Sequence, residues 1–426
     1  MAALSMAVSG TRVLIASRLF TPEVGAAAFR LQALAEGLVA AGASVRAVTT
    51  VPPKGAPAPG RTPGLTVSRF PVLRDAGGNV RGYVQYLSFD IPLFVRLLFA
   101  RADVVVSEPP PTTGLVVAVT SWLRRRPYVY YAADIWTEAL AATSAPGLVT
   151  RLMHRVEGHV LRRAAHVLAI SDGVAEKVRR FGVDPTRVTT VGNGVDTSIF
   201  TVDGPTAEGA PARLRARTAE ADDDRTQTRD APSATGVAAA GATPPYFVYT
   251  GTMSEWQGAG VFIEALAAVR ETYPDARLYF FGQGSAEDQL RALATARVPG
   301  AVVFGGVIPP AETATWLRSA AAALVSIVPG QGYDFAKPTK IYAAAACGAP
   351  VIFAGTGAST EMVRHARLGW TPEYTASAVA AAMLEAVAAH PSPSASATAR
   401  AAWVAENASL SAAGTRAAAA VLDVAP

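Results

Sequence analysis

The amino-acid sequence predicts an α/β fold built from two doubly wound parallel-sheet domains. Three observations support this prediction. Short runs of β-branched and aromatic residues recur along the chain, a helix-like segment follows each run, and a polar stretch divides the runs into two series. Because the runs are apolar without alternation, they are typical of parallel strands that helices cover on both faces. The length of 426 residues suits two domains of ordinary size.

The predicted strands fill both halves of the chain. In the N-terminal half they are residues 11–17, 44–50, 65–70, 102–108, 127–134, 165–171 and 188–194. In the C-terminal half they are residues 246–252, 276–284, 301–307, 322–328 and 350–357. Each series is sufficient for one open parallel sheet with a helix after most strands.

Composition sets the domain boundaries that we predict. Residues 1–200 form the first α/β domain and residues 246–390 the second. Residues 201–245 are rich in Thr, Ala, Gly, Pro and charged side chains, so we expect a disordered linker insertion there. Residues 391–426 begin as a Pro/Ser linker and end as an Ala-rich helix, a candidate for packing back on the N-terminal domain.

The charge and cysteine content exclude several classes of protein. The 38 basic and 33 acidic side chains give a formal charge of +5, which is too dilute to indicate nucleic-acid binding. A single cysteine, Cys347, excludes an internal disulfide, and the five histidines show no metal-ligand spacing. We therefore expect a protein of a reducing compartment, the cytoplasm, without a metal or other cofactor.

Two segments bear on export and membranes. The first twelve residues lack the basic region of a secretory signal, so none is expected. The most apolar window, residues 83–100, is interrupted by Asp90, Pro92 and Arg96, which argues against a membrane-spanning helix. Two interpretations stay open for it: a buried helix of the α/β domain, or a helix lying on the inner face of the plasma membrane, assisted by the arginine run 124–126.

Ligand-binding residues are expected directly after the strands, because open parallel sheets bind ligands at the carboxyl ends of their strands. In residues 332–363, Pro338 at a first helical position with Lys337 and Lys340 predicts a helix N-terminus that carries two cations and suits a diphosphate. Further small residues follow other strands of this half; they are Gly251, Thr252, Gly282, Gly357 and Ala358. The alternative is a set of ordinary turns with exposed lysines.

In the N-terminal half, two strand ends carry the candidate residues. Gly25 leads into a helix start of small residues, which allows close approach of a ligand to the backbone. Asp134 ends an apolar strand, and Trp136 and Glu138 follow it, so that acids and an aromatic ring are available for a sugar. A plain tight turn at Gly25 and a helix-capping role for the acids are the alternatives.

The order of these motifs resembles glycosyltransferase family 4, in particular the branch that builds bacterial surface polysaccharide. The matching segments run in family order and are TPEVGAAAFRLQALAEGLVAAGASVRAVTT, SEPPPTTG, DIWTEAL, RRAAHVLAISDGVAEKV, VGNGVDTSIF, YTGTMSEWQGAGVFIEAL and KPTKIYAAAACGAPVIFAGTGASTEMV. The resemblance implies the GT-B fold, in which two Rossmann-like domains face an interdomain cleft.

The resemblance also implies an activity, namely transfer of a sugar with retention from a nucleoside diphosphate sugar to a polysaccharide or lipid-linked acceptor, without a metal. The donor would be bound by Gly251, Thr252, Gly282, Lys337, Lys340, Gly357 and Ala358. The acceptor would be bound by Gly25, Asp134 and Glu138, with Asp134 and Lys340 as the candidate catalytic residues. Lysines and helix dipoles would neutralise the charge that develops on the leaving phosphate.

The sequence departs from the family pattern at several positions. The Arg and Lys that often follow the GT turn are replaced by Thr252 and by residues 255–257. Ala343 stands where many relatives carry a glutamate that binds the nucleotide ribose, and Phe335 stands where its partner glutamate is usual. Ala133 replaces a histidine found in some relatives. These departures keep a second hypothesis open: a catalytically silent scaffold or partner protein in a polysaccharide-synthesis complex. A nucleotide-sugar epimerase is a third hypothesis, for which the sequence offers no convincing set of catalytic acids and histidines.

Overall fold

The computed structural model describes residues 10–23, 25–53, 62–75, 80, 82–137, 147–207, 244–391 and 394–426. The chain divides into two compact units, the first formed by Met1–Gly194 with Ala408–Pro426 and the second by Val195–Asn407. Most of the predicted linker insertion, residues 208–243, lies outside the described residues.

The first unit is built on a seven-stranded parallel sheet. Its strands are β1 Arg12–Ala16, β2 Ser44–Thr50, β3 Leu65–Phe70, β4 Val104–Ser107, β5 Tyr128–Ala132, β6 His166–Ala169 and β7 Val188–Thr190. They lie in the order β3-β2-β1-β4-β5-β6-β7. The chain therefore builds outward from β1 to β3 and then returns to the other side of β1, which is the doubly wound topology.

In the part of the chain that the structure describes, six α-helices cover this sheet. They are α1 Ala26–Ala40, α2 Tyr83–Phe99, α3 Pro111–Leu123, α4 Gly147–Arg163, α5 Asp172–Arg180 and, from the chain's end, α13 Leu410–Leu422. Buried residues of α2, α3, α4 and α5 share one hydrophobic cluster with one face of the strands. Buried residues of α1 and α13 share another cluster with the opposite face. The alternation of side chains along each strand separates the two clusters.

The C-terminal helix α13 is an integral part of the first unit. It packs on α1 where two glycines allow close approach: a Cβ on Gly37 would lie 2.7 Å from the carbonyl oxygen of Gly414. The first segment of this unit ends at Gly194 and the second begins at Ala408. These two residues are in contact, since a Cβ on Gly194 would lie 2.2 Å from the carbonyl oxygen of Ala408.

The second unit is built on a six-stranded parallel sheet. Its strands are β8 Tyr246–Thr250, β9 Arg277–Phe281, β10 Val302–Phe304, β11 Ala322–Ser326, β12 Val351–Ala354 and β13 Gly369–Trp370, in the order β10-β9-β8-β11-β12-β13. Its helices are α6 Gly260–Thr272, α7 Glu287–Arg297, α8 Pro310–Arg318, α9 Thr339–Ala346, α10 Ala358–His365, α11 Ala376–Ala388 and α12 Ser394–Asn407. Buried residues of α6, α7 and α11 form the hydrophobic cluster of one face.

The structure confirms the predicted fold class of two Rossmann-like parallel-sheet domains. The twelve predicted strands are all present, and β13 is an additional strand of two residues. Helix α9 begins at Thr339, with Pro338 as its N-cap, one residue later than the sequence predicts. Within the described part of the chain, no helix is long and apolar enough to cross a membrane.

Candidate functional site

The candidate donor residues gather at the carboxyl edge of the second sheet. β8 and β11 are neighbours there although they are not consecutive in sequence, which marks the switch point of the topology. Gly251 and Thr252 directly follow β8, and Gly282 directly follows β9. Open α/β sheets bind ligands in the crevice at such a switch point. A ligand-binding site is therefore expected at this edge.

The Nζ of Lys340 is buried at this edge, and the described residues place no acidic side chain in a salt bridge with it. This Nζ lies 3.9 Å from the ring centroid of Tyr249, the fourth residue of β8, in a cation–π contact. A Cβ on Gly251 would lie 3.8 Å from the same Nζ. Nζ has no hydrogen-bond partner among the described residues, and burial lowers the pKa of Lys340 to about 7. An unpaired buried ammonium of this kind favours binding of an anion.

The glycines after β8 and β9 allow their backbones to touch. A Cβ on Gly282 would lie 1.9 Å from the carbonyl oxygen of Gly251, and Gly282 has a φ of +139°. The Gly251 N–H donates to the carbonyl of Phe281 at 2.7 Å, and the Gly282 N–H donates to that of Gly306 at 2.8 Å. Any larger residue at position 282 would push the two loops apart.

A buried glutamine organises the loop after β8. The Gln257 side-chain oxygen accepts hydrogen bonds from the Tyr249 hydroxyl at 3.1 Å, the Thr252 hydroxyl at 3.3 Å and the Ser254 N–H at 3.2 Å. The Gln257 carbonyl accepts a hydrogen bond from Ser326 Oγ at 2.6 Å, which ties the loop to the end of β11. Gln257 is not among the predicted site residues, although the spacing Ser254-x-x-Gln257 is a capping-box signature.

The turn before α10 is held by Asp334. The Asp334 carboxylate accepts hydrogen bonds from the Thr356 hydroxyl and the Gly330 N–H, and these bonds hold the pKa of Asp334 below its usual range. The Ala358 N–H donates to the Asp334 carbonyl at 3.1 Å. Gly357 has a φ of +77°, and a Cβ there would lie 2.2 Å from that carbonyl oxygen. Gly357 and Ala358 therefore belong to one rigid turn with the segment that precedes α9.

Two aromatic rings join the loops on either side of the switch point. Trp256 and Tyr333 are stacked with ring centroids 4.4 Å apart. The Val328 N–H donates to the Trp256 carbonyl at 2.9 Å, which connects the same two loops through the backbone. Lys337, three residues before Lys340 in sequence, is exposed, and its role in donor binding stays a prediction.

In the first unit, Gly25 and Asp134 follow strands that are not neighbours. Gly25 is the N-cap of α1 in extended backbone with open space around its Cβ position. Asp134 is exposed, and its carboxylate accepts the N–H of Ile135 at 2.8 Å. Because β4 lies between β1 and β5, two strand spacings of together roughly 10 Å separate these strands. Glu138, the third acceptor candidate, lies outside the described residues.

A second acid that sequence analysis missed shapes the loop after β5. Glu157 on α4 is buried and accepts hydrogen bonds from the Trp136 N–H at 2.8 Å and the Thr137 N–H at 3.0 Å. Desolvation raises the pKa of the Glu157 carboxyl. The only signal in the sequence is an acid on the apolar face of an amphipathic helix.

A buried polar cluster, formed by Ser17, Arg30, Glu108 and Tyr131, lies at the switch point between β1 and β4. The Glu108 carboxylate accepts a hydrogen bond from Ser17 Oγ at 2.6 Å and pairs with Arg30 at 3.4 Å. The Arg30 guanidinium lies 5.3 Å from the ring centroid of Tyr131. Arg30 Nε and the Tyr131 hydroxyl have no hydrogen-bond partner within the described part of the chain. Buried polar atoms of this kind require a partner such as water or a ligand.

The described residues contain no group of three or more His, Cys, Asp or Glu that could hold a metal ion. The expectation of metal-free chemistry stays a prediction. The carboxyl edge of the second sheet provides three features. They are Lys340 Nζ, which has no hydrogen-bond partner among the described residues, the closely packed glycine backbone of the loops after β8 and β9, and the N-termini of α9 and α10. These features suit an anionic group that carries several oxygen acceptors.

Comparison with known proteins agrees with this description. A family model described as a glycosyl transferase 4-like domain matches residues 25–194, and one described as glycosyl transferases group 1 matches residues 244–389. A D-inositol 3-phosphate glycosyltransferase of Jonesia denitrificans is 26% identical over 261 residues, which cover 56% of this chain and 55% of that protein. The chain thus spans about half the length of this curated relative.

Two solved structures resemble almost the whole chain. Anabaena HepE in complex with UDP-glucose has a TM-score of 0.62 and 17% identity, and covers 96% of this chain and 98% of its own. WaaG, a glycosyltransferase involved in lipopolysaccharide biosynthesis, has a TM-score of 0.64 and 16% identity. The match covers 95% of this chain and 98% of WaaG. At such identities the likeness shows the fold alone.

Proposed function

The chain belongs to the family 4 glycosyltransferases of the GT-B fold, and on that basis we propose that it transfers a sugar, with retention, from a nucleoside diphosphate sugar to an envelope or polysaccharide acceptor. The observation that carries the donor half of this proposal is Lys340, whose buried Nζ has no hydrogen-bond partner among the described residues and lies beside Gly251 at the switch point of the second sheet. The UDP-glucose bound by the similar HepE structure supports the choice of ligand class.

In the proposed reaction the protein mainly stabilises charge. As the bond between the sugar and the diphosphate breaks, negative charge develops on the leaving oxygen while the sugar becomes oxocarbenium-like. Lys340 would offset that charge, assisted by the N-terminal amides of α9 and α10. Gly282, Gly357 and Ala358 would shape the wall against the diphosphate, because their backbone is held by the contacts described above. Thr252 would join them, since its hydroxyl is held by Gln257.

The acceptor half of the proposal rests on the first unit. Gly25 offers open space at a helix N-terminus, and Asp134 presents an exposed carboxylate that can accept hydrogen bonds from sugar hydroxyls. We place the acceptor at the cytoplasmic face of the plasma membrane and take it to be a saccharide, free or lipid-linked. The similarity to WaaG and to an inositol phosphate glycosyltransferase supports a polyhydroxylic acceptor.

The test is a screen of nucleoside diphosphate sugars by mass spectrometry, with donor hydrolysis and transfer as the readouts. We expect turnover of at least one donor, and a loss of about 100-fold or more in Lys340→Ala, as for removal of one group that stabilises transition-state charge. Lys177→Ala, a lysine of α5 in the first unit, is the matched control and should keep full activity. Equal turnover by Lys340→Ala and the parent protein would contradict the role given to Lys340.

A second candidate function has its own observation. Ala343 is buried on α9 and cannot make the ribose contact expected of a glutamate at this position. A catalytically silent scaffold would bind UDP or a UDP-sugar in calorimetry and yet turn over no donor in the same screen. Transfer that depends on Lys340 would eliminate this alternative.

A further inference from the structure

Three neighbouring helices of the first unit expose an apolar surface. α2 packs beside α3, and α3 packs beside α4, all on the same face of the sheet. Their exposed large apolar side chains, here called the apolar face, are Val84, Leu87, Ile91, Val95 and Phe99 on α2, Val119, Trp122 and Leu123 on α3, and Leu148 and Leu152 on α4. Phe99 is 81% exposed and Trp122 is 74% exposed, so these rings are almost fully in solvent. An apolar patch of this extent marks an interaction surface.

On α2 the exposed residues follow the helical period. The five recur at intervals of three or four residues, which places them along one side of the helix. Phe89, Leu93 and Leu97 follow the same period on the other side and are completely buried against the sheet. The helix is therefore apolar on both sides, whereas a helix that meets only its own core needs one apolar side.

On the described residues of these three helices, the exposed charges have a single sign. Both acids on the three helices, Asp90 and Glu157, are buried. The exposed charged residues on the helices and at their ends are arginines: Arg96, Arg101, Arg124, Arg125, Arg151, Arg155, Arg162 and Arg163. Arg126 does not join them, because its guanidinium donates to the carbonyls of Leu97 and Ala100 at 2.9 and 3.0 Å and fixes the end of α2. The arginine run of the sequence thus contributes two residues to the surface.

The topology brings the most exposed rings to one end of the three helices. α2 and α3 both run from the carboxyl edge of the parallel sheet to its amino edge. Their C-terminal ends therefore lie at the same edge, with Phe99 and Trp122 beside the exposed arginines 101, 124 and 125 in sequence. Aromatic rings next to arginine are typical of the boundary between lipid headgroups and acyl chains.

We propose that the apolar face is a docking surface for a bilayer that contains anionic phospholipid. The apolar side chains would enter the acyl boundary, and the arginines would contact the phosphates. A symmetric pair formed with a second copy of this face would bring two sets of arginines together without an exposed acid on either set of helices, so charge disfavours that occupant. The apolar face would be the part of the protein that contacts the membrane in the proposed function. Its binding to a bilayer does not depend on glycosyl transfer.

The experiment is co-sedimentation of the full-length protein with vesicles of phosphatidylcholine alone or with phosphatidylglycerol. We expect binding to the anionic vesicles that weakens with salt. The double variant Phe99→Ser/Trp122→Ser should bind at least tenfold more weakly, and Arg124→Gln/Arg125→Gln should lose binding chiefly to anionic vesicles. Val307→Ser in the second unit, 68% exposed in the parent protein, is the matched control and should bind normally.

Several outcomes would overturn the proposal: no vesicle binding by the parent protein, unchanged binding by both double variants, or an equal loss in Val307→Ser. Sedimentation velocity without vesicles tests the other occupant, and a parent dimer that Ile91→Ser dissociates would assign the face to a second copy. Donor hydrolysis in the absence of vesicles is measured for every variant. A variant that retains donor hydrolysis but no longer binds vesicles has lost the function of the apolar face alone. The two measurements therefore test the membrane surface and the proposed activity separately.

Discussion

The pKa of Lys340 depends both on the burial of its ammonium group and on the charge of a ligand beside it. Its ammonium group is enclosed beside Tyr249 and Gly251, where the described part of the chain offers it no hydrogen-bond acceptor, and desolvation lowers its pKa to about 7 from an ordinary value of 10.5. The folded protein therefore binds fewer protons than the unfolded chain between pH 7 and 10.5. A diphosphate placed next to Nζ would reverse this shift, because a neighbouring anion favours the charged form.

We predict that UDP, used as the probe for the proposed donor site, takes up close to one proton when it binds at pH 8.5. Because bound UDP restores the ammonium, its affinity should rise as the pH falls from about 9 to 7, by up to about tenfold per pH unit, and level off below 7. Without ligand, stability should rise as the pH increases from 7 toward 10.5, since the folded state prefers the neutral amine.

The measurement is calorimetric titration in buffers of different ionisation enthalpy. Lys340→Met, which keeps the side-chain length without a charge, should bind UDP more weakly and take up no proton. Proton uptake that persists in this variant would assign the titration to another group.

At this scale the sequence identifies some residues and misses others. Lys340 and Gly251 can be selected because a lysine at a helix start and a glycine after a strand are local patterns. Tyr249 and Glu157 cannot, because each lies among the buried residues of its element, and only the tertiary fold decides what their polar atoms contact. The binding and catalytic roles of all the candidate residues, Lys340 and Gly251 included, stay predictions.

At the scale of elements, the loops after β8 and β9 form one packed unit. Gly282 and Gly284 each approach the loop after β8 so closely that a Cβ would overlap a carbonyl oxygen, that of Gly251 or Met253. The Met253 N–H donates to the Gln283 carbonyl at 3.1 Å, so the contact is also hydrogen-bonded. The position of Gly251 beside Lys340 therefore depends on a residue in a different loop.

We predict that Gly282→Ala destabilises the second unit by at least about 2 kcal/mol and weakens UDP binding. The added Cβ combines a left-handed backbone with a clash at 1.9 Å, and relief of that clash must move Gly251. The matched control is Gly300→Ala, where φ is +72° and the Cβ position is open, so that only about 1 kcal/mol of backbone strain is expected. Urea unfolding and UDP titration measure both effects, and equal losses in the two variants would show that the clash is not decisive.

Most elements could be predicted from the sequence because buried parallel strands are continuous apolar runs. Their positions agree with the structure, and only their ends are shorter, as at β7 where the predicted run to Gly194 ends at Thr190. β13 was not predicted since Gly369 and Trp370 form no such run and the strand depends on pairing with β12. Because α2 is apolar on both sides, the sequence could not decide between a buried helix and a helix on a membrane surface. The structure shows which side of α2 is buried.

At the scale of the molecule, the chain forms the first unit from two separate segments. α13 completes the core of that unit, where Ala417, Ala418 and Val421 are buried against α1 and the strands. Gly414 is the point of closest approach, since a Cβ there would lie 2.3 Å from the carbonyl oxygen of Ala33. The stability of the first unit therefore depends on residues more than 200 positions beyond Gly194 in sequence.

We predict that Gly414→Leu destabilises the first unit by about 3 kcal/mol or more, because the side chain forces α13 away from α1. Hydrogen exchange measured by mass spectrometry should show faster exchange in β1 and β2 and unchanged exchange in β8 and β9. Ala419→Leu, at an exposed position of the same helix, is the control and should leave both units unchanged. Uniformly faster exchange throughout the chain would contradict an effect confined to one unit.

The proximity of Gly194 to Ala408 has a practical consequence for dissecting the protein. An expression vector that simply stops after Gly194 would produce a polypeptide lacking its last helix, with an uncovered apolar groove and a tendency to aggregate. Joining codon 194 to codon 408 through a short glycine-serine bridge would instead encode the whole first unit as one continuous gene. The excised stretch, 195–407, would be its natural counterpart for separate production.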